Sequence, residues 1–289
     1  MDTKPLIVIV GPTASGKTAL AVTIAKQYGG EIICADSRTV YRGMDIGTAK
    51  PTPEERSEVP HWGLDLVEPD QKFTVADFQK YAIAKIKDIR SRGKVPLLVG
   101  GTGLYVDAIV FDYRFGPAGN TSMRDRLEGL SLMELHAYCM RNAIPLPENR
   151  RNKRYVIRAI EQGNINNNRL NTPIKNCNIV GISTNKEILQ QRITERAEHL
   201  FKQGVIEEAK RLSSSYGWHH ESMTGNIYPL CRQYVDGELT YEELKEKFRV
   251  LDWRLAKRQL TWFRRNAYIH WCDLEEAQVY IGALLESDH

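Results

Sequence analysis

Residues 5–18 read Pro-Leu-Ile-Val-Ile-Val-Gly-Pro-Thr-Ala-Ser-Gly-Lys-Thr, a short apolar run that leads into a loop bounded by Gly11 and Gly16. The loop matches the phosphate-binding pattern Gly-x-x-x-x-Gly-Lys-[Ser/Thr], called the P-loop, and a helical pattern follows at once. In such a loop, backbone N–H groups and the helix N-terminus attract a phosphate. Lys17 adds a positive charge, and Thr18 adds a hydroxyl suited to Mg²⁺. The stretch predicts a phosphate site but leaves open which phosphate it binds.

Length and composition set broad limits on the protein. The chain has 289 residues, 42% of them hydrophobic, and a formal charge of +4. These values suit one large domain or a core with an inserted subdomain. The sequence shows no signal peptide and no apolar run of transmembrane length. We expect a monomer with no membrane partner.

The cysteines indicate a reducing compartment. They are five in number and scattered, without Cys-x-x-Cys spacing, at Cys34, Cys139, Cys177, Cys231 and Cys272. An odd, dispersed set is not typical of a disulfide framework or a zinc site. The sequence therefore predicts a cytoplasmic protein.

Strand and helix patterns alternate along the chain. Strands are predicted over residues 31–35, 61–67, 95–99 and 178–183, and helices over 19–27, 53–59, 73–92, 186–213 and 242–262. This rhythm indicates an α/β fold with a P-loop NTPase-like, doubly wound parallel sheet. We assign 1–112 and 174–289 to this core.

Polar residues follow two of the predicted strands. Asp36 comes after residues 31–35, and Thr102 lies in the turn Gly100-Gly101-Thr102-Gly103 after residues 95–99. Ligands in open α/β sheets gather at the carboxyl ends of strands, so both side chains are candidates for chemistry. A helix N-cap is the alternative for each; the position of Asp36 favours chemistry, whereas the two roles are nearly balanced for Thr102. P-loop ATPases place a Mg²⁺-binding aspartate at another strand end, and the strand at 95–99 has none. The missing aspartate favours a loop that binds a diphosphate and a metal ion but does not run an ATPase cycle.

The segment 113–173 differs in character from the rest. Strand patterns fade, helices are predicted over 127–142 and 152–162, and the Asn-rich stretch 164–168 is predicted to be a loop. The segment holds ten Lys and Arg residues against five Asp and Glu. We interpret it as a helical insertion whose basic excess suits a polyanion, although a solvated charged face is the alternative.

Basic residues also cluster on two later helices. Arg192 and Arg196 lie four apart, so they share a helix face. They could hold a diphosphate, or they could pair with neighbouring acids such as Glu195 and have no catalytic role. Residues 245–265 contain eight basic and two acidic residues, with Trp253 and Trp262 interleaved. Basic and aromatic side chains together are typical of surfaces that bind single-stranded nucleic acid.

Taken together, the motifs make the chain resemble the tRNA dimethylallyltransferases, also called tRNA isopentenyltransferases, of the bacterial type. The matching stretches follow the family order over nearly the whole chain: residues 11–18, 36–37, 41–51, 100–105, 154–161, 192–196 and 255–264. The resemblance implies transfer of a dimethylallyl group from dimethylallyl diphosphate to N6 of the adenine next to the anticodon (A37) in tRNA. It implies Mg²⁺ as the cofactor, with Thr18 as a ligand.

The resemblance also assigns roles to residues. Asp36 and Thr102 would be catalytic, with Asp36 taking the proton of the adenine amine. The diphosphate would be bound by Gly11, Pro12, Thr13, Ala14, Ser15, Gly16, Lys17, Thr18, Arg192 and Arg196. The tRNA anticodon stem-loop would contact Asp36, Ser37, Arg38, Thr39, Arg124, Arg154, Tyr155, Arg158, Lys257, Arg258, Gln259, Thr261, Trp262 and Arg264.

Two family motifs are altered in this chain. Around Tyr228 the family glycine, lysine and glutamate are replaced by Ile227, Pro229 and Leu230. The family Thr-Gly after the helix at 154–161 is replaced by residues 163–166, Gly-Asn-Ile-Asn. Because both places face tRNA in the family, the sequence predicts altered tRNA recognition.

Three alternatives remain open from the sequence. An adenylate isopentenyltransferase would use a free nucleotide in place of tRNA, and the two basic clusters argue against it. A small-molecule kinase would need the missing strand-end carboxylate. An RNA-binding protein without catalysis is disfavoured by the intact Lys17, Thr18 and Asp36.

Overall fold

The computed structural model describes residues 4–115, 121–147, 149–162 and 169–287. It divides into two compact units, here named the core unit (Met1–Val110 with Lys175–His289) and the insertion unit (Phe111–Ile174). The predicted insertion, 113–173, begins two residues after the start of that unit and ends one residue before its end. The Asn-rich stretch 164–168 lies outside the described residues.

The core unit contains a six-stranded parallel sheet. Its strands are β1 (Leu6–Val10), β2 (Gly30–Cys34), β3 (His61–Trp62), β4 (Val95–Gly100), β5 (Cys177–Ile182) and β6 (Ile269–Cys272). Their order across the sheet is β3-β2-β4-β1-β5-β6, and every neighbouring pair is parallel. The predicted parallel α/β fold is therefore confirmed.

The helices are numbered in the order in which they occur along the chain. They are α1 (Lys17–Tyr28), α2 (Pro53–Glu58), α3 (Val75–Ser91), α4 (Gly103–Val110), α5 (Thr121–Gly129), α6 (Leu132–Arg141), α7 (Lys153–Gln162), α8 (Lys186–Lys202), α9 (Val205–Tyr216), α10 (Ile227–Val235), α11 (Tyr241–Phe263) and α12 (Leu274–Glu286). Within the described residues, no helix is long and apolar enough to cross a bilayer.

The central strand β1 anchors the hydrophobic core. All five of its residues are buried, and it pairs with β4 on one side and β5 on the other. Ile7 and Ile9 pack in one cluster with residues of α1 and α12. Each fully buried side chain of this size contributes about 1.5–3 kcal/mol, so burial holds the strand that leads into the P-loop firmly in the core.

Two helices predicted as single elements are each broken in two. The helix expected at 127–142 is instead α5 followed by α6, because Ser131 forms a capping box with Glu134 and starts a new helix. The region expected to be helical over 186–213 divides into α8 and α9 at Gly204, whose φ of 91° lies in the left-handed region.

Other differences lie at the edges of the sheet. The strand expected at 61–67 shortens to the two residues of β3, which still forms the edge of the sheet. Strand β6 and helices α10 and α12 were not predicted. The Ile269–Cys272 run is short, and His270 and Trp271 interrupt its apolar pattern, so β6 forms only because β5 offers a free edge.

The insertion unit has its own small core. Leu127, Leu135, Cys139, Val156, Ile157 and Ile160 form a buried cluster between α5, α6 and α7. The apolar residues of α7 recur at positions 156, 157 and 160, which is the helical spacing that buries one face.

Candidate active site

The P-loop joins β1 to α1 in a conformation that its small residues permit. Ala14 and Gly16 both have positive φ, at 62° and 90°. The φ of Gly16 lies in the left-handed region, which favours glycine, and a Cβ there would also lie 2.8 Å from the side chain of Leu274. Helix α1 begins at Lys17, which directs its N-terminus, and the partial positive charge of its dipole, into the loop. The loop geometry suits an anion.

Lys17 lies within this loop. Its Nζ donates a hydrogen bond to the carbonyl oxygen of Pro12 at 3.0 Å. Burial of the ammonium lowers the pKa of Lys17 to about 8, and the nearby Asp36 carboxylate opposes that shift. Arg196 lowers the pKa further, whereas the Asp252 carboxylate opposes that shift, so the charges of Arg196, Asp36 and Asp252 all act on Lys17. An incoming diphosphate would favour the charged form of Lys17.

Asp36 and Thr102 belong to two loops that meet. The backbone N–H of Ser37 donates to Thr102 Oγ1 at 3.2 Å, and the N–H of Thr102 donates to the carbonyl of Ala35 at 3.3 Å. One Asp36 carboxylate oxygen accepts from the N–H of Arg38 at 2.8 Å. The side chain is half-exposed, so its other oxygen can accept a proton from a substrate.

Close approach of these loops depends on Gly100. A Cβ at this position would lie 2.1 Å from the carbonyl oxygen of Ala35, a distance that atoms cannot adopt. Thr102 also precedes α4, and its backbone carbonyl accepts from the N–H of Tyr105 at 2.9 Å, while its hydroxyl accepts from the N–H of Ser37. The residue thus serves both the helix and the site.

Two arginines of α8 approach the P-loop from the other side. Arg192 Nη1 donates to the carbonyl of Ser15 at 3.2 Å. Arg196 forms an ion pair with Asp252 of α11, and Asp252 is only 2% exposed. The structure therefore brings both arginines to the phosphate loop, as the shared helix face predicted, and adds a buried carboxylate that orients one of them.

We predict that Asp252→Asn weakens the site without unfolding the protein. Loss of the charge leaves the Arg196 guanidinium without its buried partner, which should lower the free energy of unfolding by about 1–3 kcal/mol. Inorganic pyrophosphate should also bind less tightly, because Arg196 is no longer held toward Lys17. Urea unfolding and isothermal titration calorimetry measure the two effects.

Glu246→Gln provides the matched control for Asp252→Asn. Glu246 is an exposed acid on the same helix and pairs with Arg249. This change should alter stability by less than about 0.5 kcal/mol. Equal effects of the two substitutions would contradict the role given to Asp252.

The loop at residues 41–51 is held by one buried carboxylate. Glu208 of α9 accepts hydrogen bonds from the backbone N–H groups of Asp45, Ile46 and Gly47 at 2.8–2.9 Å. The Tyr228 hydroxyl donates to the same carboxylate at 2.9 Å. Burial and the adjacent Glu208 raise the pKa of Tyr228, so the phenol stays protonated and remains a donor.

The altered motif around Tyr228 packs against this loop. The side chain of Tyr228 does not face outward, since the residue is 1% exposed and its ring packs against Gly47. A Cβ on Gly47 would lie 2.7 Å from the ring and 2.9 Å from Ile227. Ile227, which replaces the family glycine, thus serves loop packing in this chain.

The same loop has a second anchor at Lys50. The Lys50 side chain is 1% exposed, and its ammonium donates to the carbonyl of Tyr41 at 2.6 Å and to the carboxylates of Asp45 and Asp65 at 2.8 and 2.6 Å. Arg56 pairs with the other oxygen of Asp65 at 3.0 Å. Two buried charged groups therefore fix the backbone that follows Asp36.

We predict that Glu208→Gln loosens this loop. An amide nitrogen would face hydrogen-bond donors where the carboxylate accepted from them, which should lower the unfolding free energy by about 1–3 kcal/mol. Denaturant titration measures the change. Glu207→Gln, an exposed neighbour on α9, is the control and should be nearly neutral. If both variants unfold alike, Glu208 does not anchor the loop.

Some residues assigned to tRNA lie where a large ligand could reach them. Lys257, Arg258 and Thr261 are exposed on α11, and Arg264 is exposed at its C-terminal end. In the insertion unit, Arg154 is exposed and Tyr155 is 48% exposed.

Other residues assigned to tRNA have partners within the protein. Thr39 is buried and donates to the carbonyl of Asp36 at 3.4 Å. Arg38 donates to the carbonyl of Glu221 and to Thr224 Oγ1, in a short 3-10 turn. Trp262 Nε1 donates to Asp107 at 2.8 Å.

Gln259 and two arginines of the insertion unit also have partners within the protein. The N–H of Thr13 donates to Gln259 Oε1 at 2.8 Å. Arg124 and Arg158 lie 3.1 and 3.2 Å from the carboxylate oxygens of Glu161. Their charge is partly neutralised by this acid, which the net count of the segment did not reveal.

Asp252 and Glu208 were not identified from the sequence as contributors to the site, and Gln259 was assigned to tRNA instead. Asp252 and Gln259 lie seven residues apart, which places them on one face of α11 with Ala256 between them. That face could have been recognised as an inward polar stripe. Glu208 carried no such signal, because a single glutamate in a helical stretch is usually a solvent-exposed residue.

A metal ion would find few protein ligands here. Across residues 4–115, 121–147, 149–162 and 169–287 there is no group of three or more His, Cys, Asp or Glu side chains that could hold one. The half-buried Thr18 hydroxyl at the start of α1 fits an ion that takes most of its ligands from a diphosphate and water.

Comparison with known proteins identifies the class of protein that this arrangement defines. The family model described as IPP transferase matches residues 39–266, and the model described as isopentenyl transferase matches residues 4–66. The first match spans most of the chain. The protein therefore belongs to the IPP transferase family.

Individual relatives agree with this placement. The tRNA dimethylallyltransferase of Bacillus velezensis is 38% identical over 94% of this chain and 91% of its own length. The tRNA dimethylallyltransferase of Pelotomaculum thermopropionicum is 40% identical over 94% of this chain and 91% of its own length.

Solved structures have the same fold. The tRNA isopentenylpyrophosphate transferase of Bacillus halodurans covers 98% of this chain and 97% of its own, with 37% identity and a TM-score of 0.75. The tRNA delta(2)-isopentenylpyrophosphate transferase of Staphylococcus epidermidis is 34% identical, with a TM-score of 0.74. The match covers 99% of this chain and 100% of that one. A eukaryotic dimethylallyltransferase at 23% identity and a TM-score of 0.81 agrees in fold.

Proposed function

We propose that this protein transfers the dimethylallyl group of dimethylallyl diphosphate to N6 of the adenine next to the anticodon, A37, in tRNA. The observation that carries the proposal is that the loops after β1, β2 and β4, which hold Lys17, Asp36 and Thr102, meet at one edge of the sheet, while β4 ends without a metal-binding acid. A leaving diphosphate and a proton acceptor are thus provided for at one sheet edge. The relatives named tRNA dimethylallyltransferase supply the substrate class.

The diphosphate would be held by the P-loop and α8. Lys17, Arg192 and Arg196 approach one volume from two elements, and the N-terminus of α1 faces it. These cations stabilise the negative charge that develops on the diphosphate as the C–O bond to the dimethylallyl group breaks.

Asp36 would activate the nucleophile. The exocyclic adenine amine forms a bond to C1 of the dimethylallyl group while the C1–O bond breaks and pyrophosphate leaves. The amine then carries an extra proton, which moves to the free carboxylate oxygen of Asp36. Thr102, tied to the Ser37 N–H, would orient the loop that carries this aspartate.

Mg²⁺ is the cofactor that this site suits. The Thr18 hydroxyl and the diphosphate oxygens would hold the ion, and Ser15 Oγ lies buried within the same loop with no hydrogen-bond partner among the described residues. When bound, the ion neutralises charge on the leaving group.

The tRNA would contact exposed basic residues. Lys257 and Arg258 on α11, and Arg264 directly after it, are exposed, whereas Gln259 and Trp262 point to partners within the protein. Arg154 and Tyr155 present a cation and an exposed ring from α7 in the insertion unit, a combination that suits an RNA loop. We place this activity in the cytoplasm and on a monomer.

The proposed activity has a direct test. Incubation of the protein with dimethylallyl diphosphate, Mg²⁺ and tRNA that carries A37 should yield N6-dimethylallyladenosine, detected by mass spectrometry of nuclease digests. Free AMP in place of tRNA is the control and should remain unmodified. Prenylated AMP would instead support the adenylate isopentenyltransferase alternative, and no product from any A37 tRNA would refute prenyl transfer.

Asp36→Ala tests the role of the base. We expect kcat to fall by about 10²–10⁴ because proton transfer loses its acceptor. Binding of the tRNA, measured by filter retention, should stay within about twofold, since the loop remains tied by the Ser37–Thr102 bond. A parallel loss of binding would show that Asp36 supports the loop rather than the chemistry.

A further inference from the structure

A single side-chain amide bridges the two loops that form the site. Gln259 of α11 is half-buried, and its Oε1 accepts the Thr13 N–H at 2.8 Å across 246 residues of sequence. On its other side the amide nitrogen lies against Gly101, where an added Cβ would be 2.3 Å from Nε2. The amide therefore fills the space between the P-loop and the turn after β4.

These loops carry different parts of the site. The P-loop after β1 holds Lys17 and Thr18, and the turn after β4 holds Thr102. β1 and β4 are neighbours in the sheet, with Val10 opposite Gly100, so their loops leave the same edge side by side. A rigid group between them sets the distance from the phosphate cradle to Thr102.

A side-chain amide suits the position between the P-loop and the turn after β4. Its oxygen satisfies a loop N–H, and it brings no charge beside a bound diphosphate. A leucine of similar size would leave the Thr13 N–H unpaired, and a glutamate would repel the phosphates.

The rest of α11 holds the amide in position. Ala256 packs with Leu189 and Ile193 of α8 in a cluster that also includes Ala14 of the P-loop. Further along the helix, Trp262 Nε1 donates to Asp107 of α4 and the indole packs on Gly103. Contacts on both sides of Gln259 thus fix the helix against the sheet edge.

We propose that Gln259 is a positioning residue for diphosphate binding, acting through Thr13 of the P-loop. The inference rests on the proposed function for its biological ligand, and it gives Gln259 an inward role distinct from the contact with tRNA that the sequence predicted. Thr13 then contributes to the cradle by its fixed backbone, because its N–H is already paired with Gln259.

Gln259→Leu is the first test. Binding of inorganic pyrophosphate with Mg²⁺, measured by calorimetry, should weaken about threefold to tenfold because one buried loop hydrogen bond is lost. Binding of an anticodon stem-loop RNA, measured by filter retention, should not change. In the prenyl transfer assay, KM for dimethylallyl diphosphate should rise while KM for tRNA stays the same.

Gln191→Leu is the matched control. Gln191 is exposed on α8 and bonds only to Glu195 of its own helix among the described contacts, so pyrophosphate binding should equal that of the wild type. Thermal unfolding of both variants identifies any loss that comes from misfolding.

Gly101→Ala tests the same bridge without altering Gln259. The new Cβ would push the amide away from Thr13, so pyrophosphate binding should weaken to a similar degree. In a Gln259→Ala background the shortened side chain leaves room for the methyl group, and Gly101→Ala should then change binding by less than about twofold.

The outcomes separate the possibilities. Unchanged or tighter pyrophosphate binding by Gln259→Leu would overturn the proposal, because the amide would then be neutral or would compete with phosphate for the Thr13 N–H. Weaker RNA binding with normal pyrophosphate binding would show that Gln259 contacts tRNA and does not position the P-loop. Additive effects of the Gly101 and Gln259 changes would also overturn it.

The same measurements distinguish this inference from the proposed function. Pyrophosphate binding that depends on Gln259, in a protein that transfers no prenyl group, would refute only the proposed reaction. A wild-type protein that does not bind pyrophosphate would refute the positioning role.

Discussion

The parallel pairing of β1 between β4 and β5 is the constraint on which the rest of the structure depends. Both pairings are in register along the strand, so the loops after β1 and β4 leave the same edge of the sheet. The turn after β2 joins them because β2 pairs with β4 and Gly100 allows contact with Ala35. A buried apolar strand thereby brings a phosphate loop, a carboxylate and a threonine together.

Helix α11 adds what the sheet edge cannot provide. Its inward face supplies Asp252 to Arg196 and Gln259 to Thr13, while its outward face presents Lys257 and Arg258 to solvent. One helix therefore serves the phosphate site with one side and offers a basic surface with the other. This division explains why a charge count along the helix describes only half of its role.

Short-range patterns predicted part of this arrangement well. The P-loop, the strand ends at Asp36 and Thr102, and the shared face of Arg192 and Arg196 follow from spacing within a few residues, and the parallel sheet follows from the alternation of elements. Residues whose partners lie far along the chain were less accessible. Glu208, which holds the backbone at 45–47, and Asp107, which accepts from Trp262, look like ordinary helix residues until the fold brings their partners near.

The sequence by itself determined the phosphate loop, the α/β class and the candidate acid, because backbone conformation and hydrophobic periodicity are local properties. Only the tertiary structure decided which polar side chains point inward. It turned Tyr228, Thr39 and Trp262 toward buried partners and left Lys257 and Arg264 at the surface. The physical reason is that a buried polar group must find a hydrogen-bond partner, and that partner is fixed by packing between elements that sequence spacing does not relate.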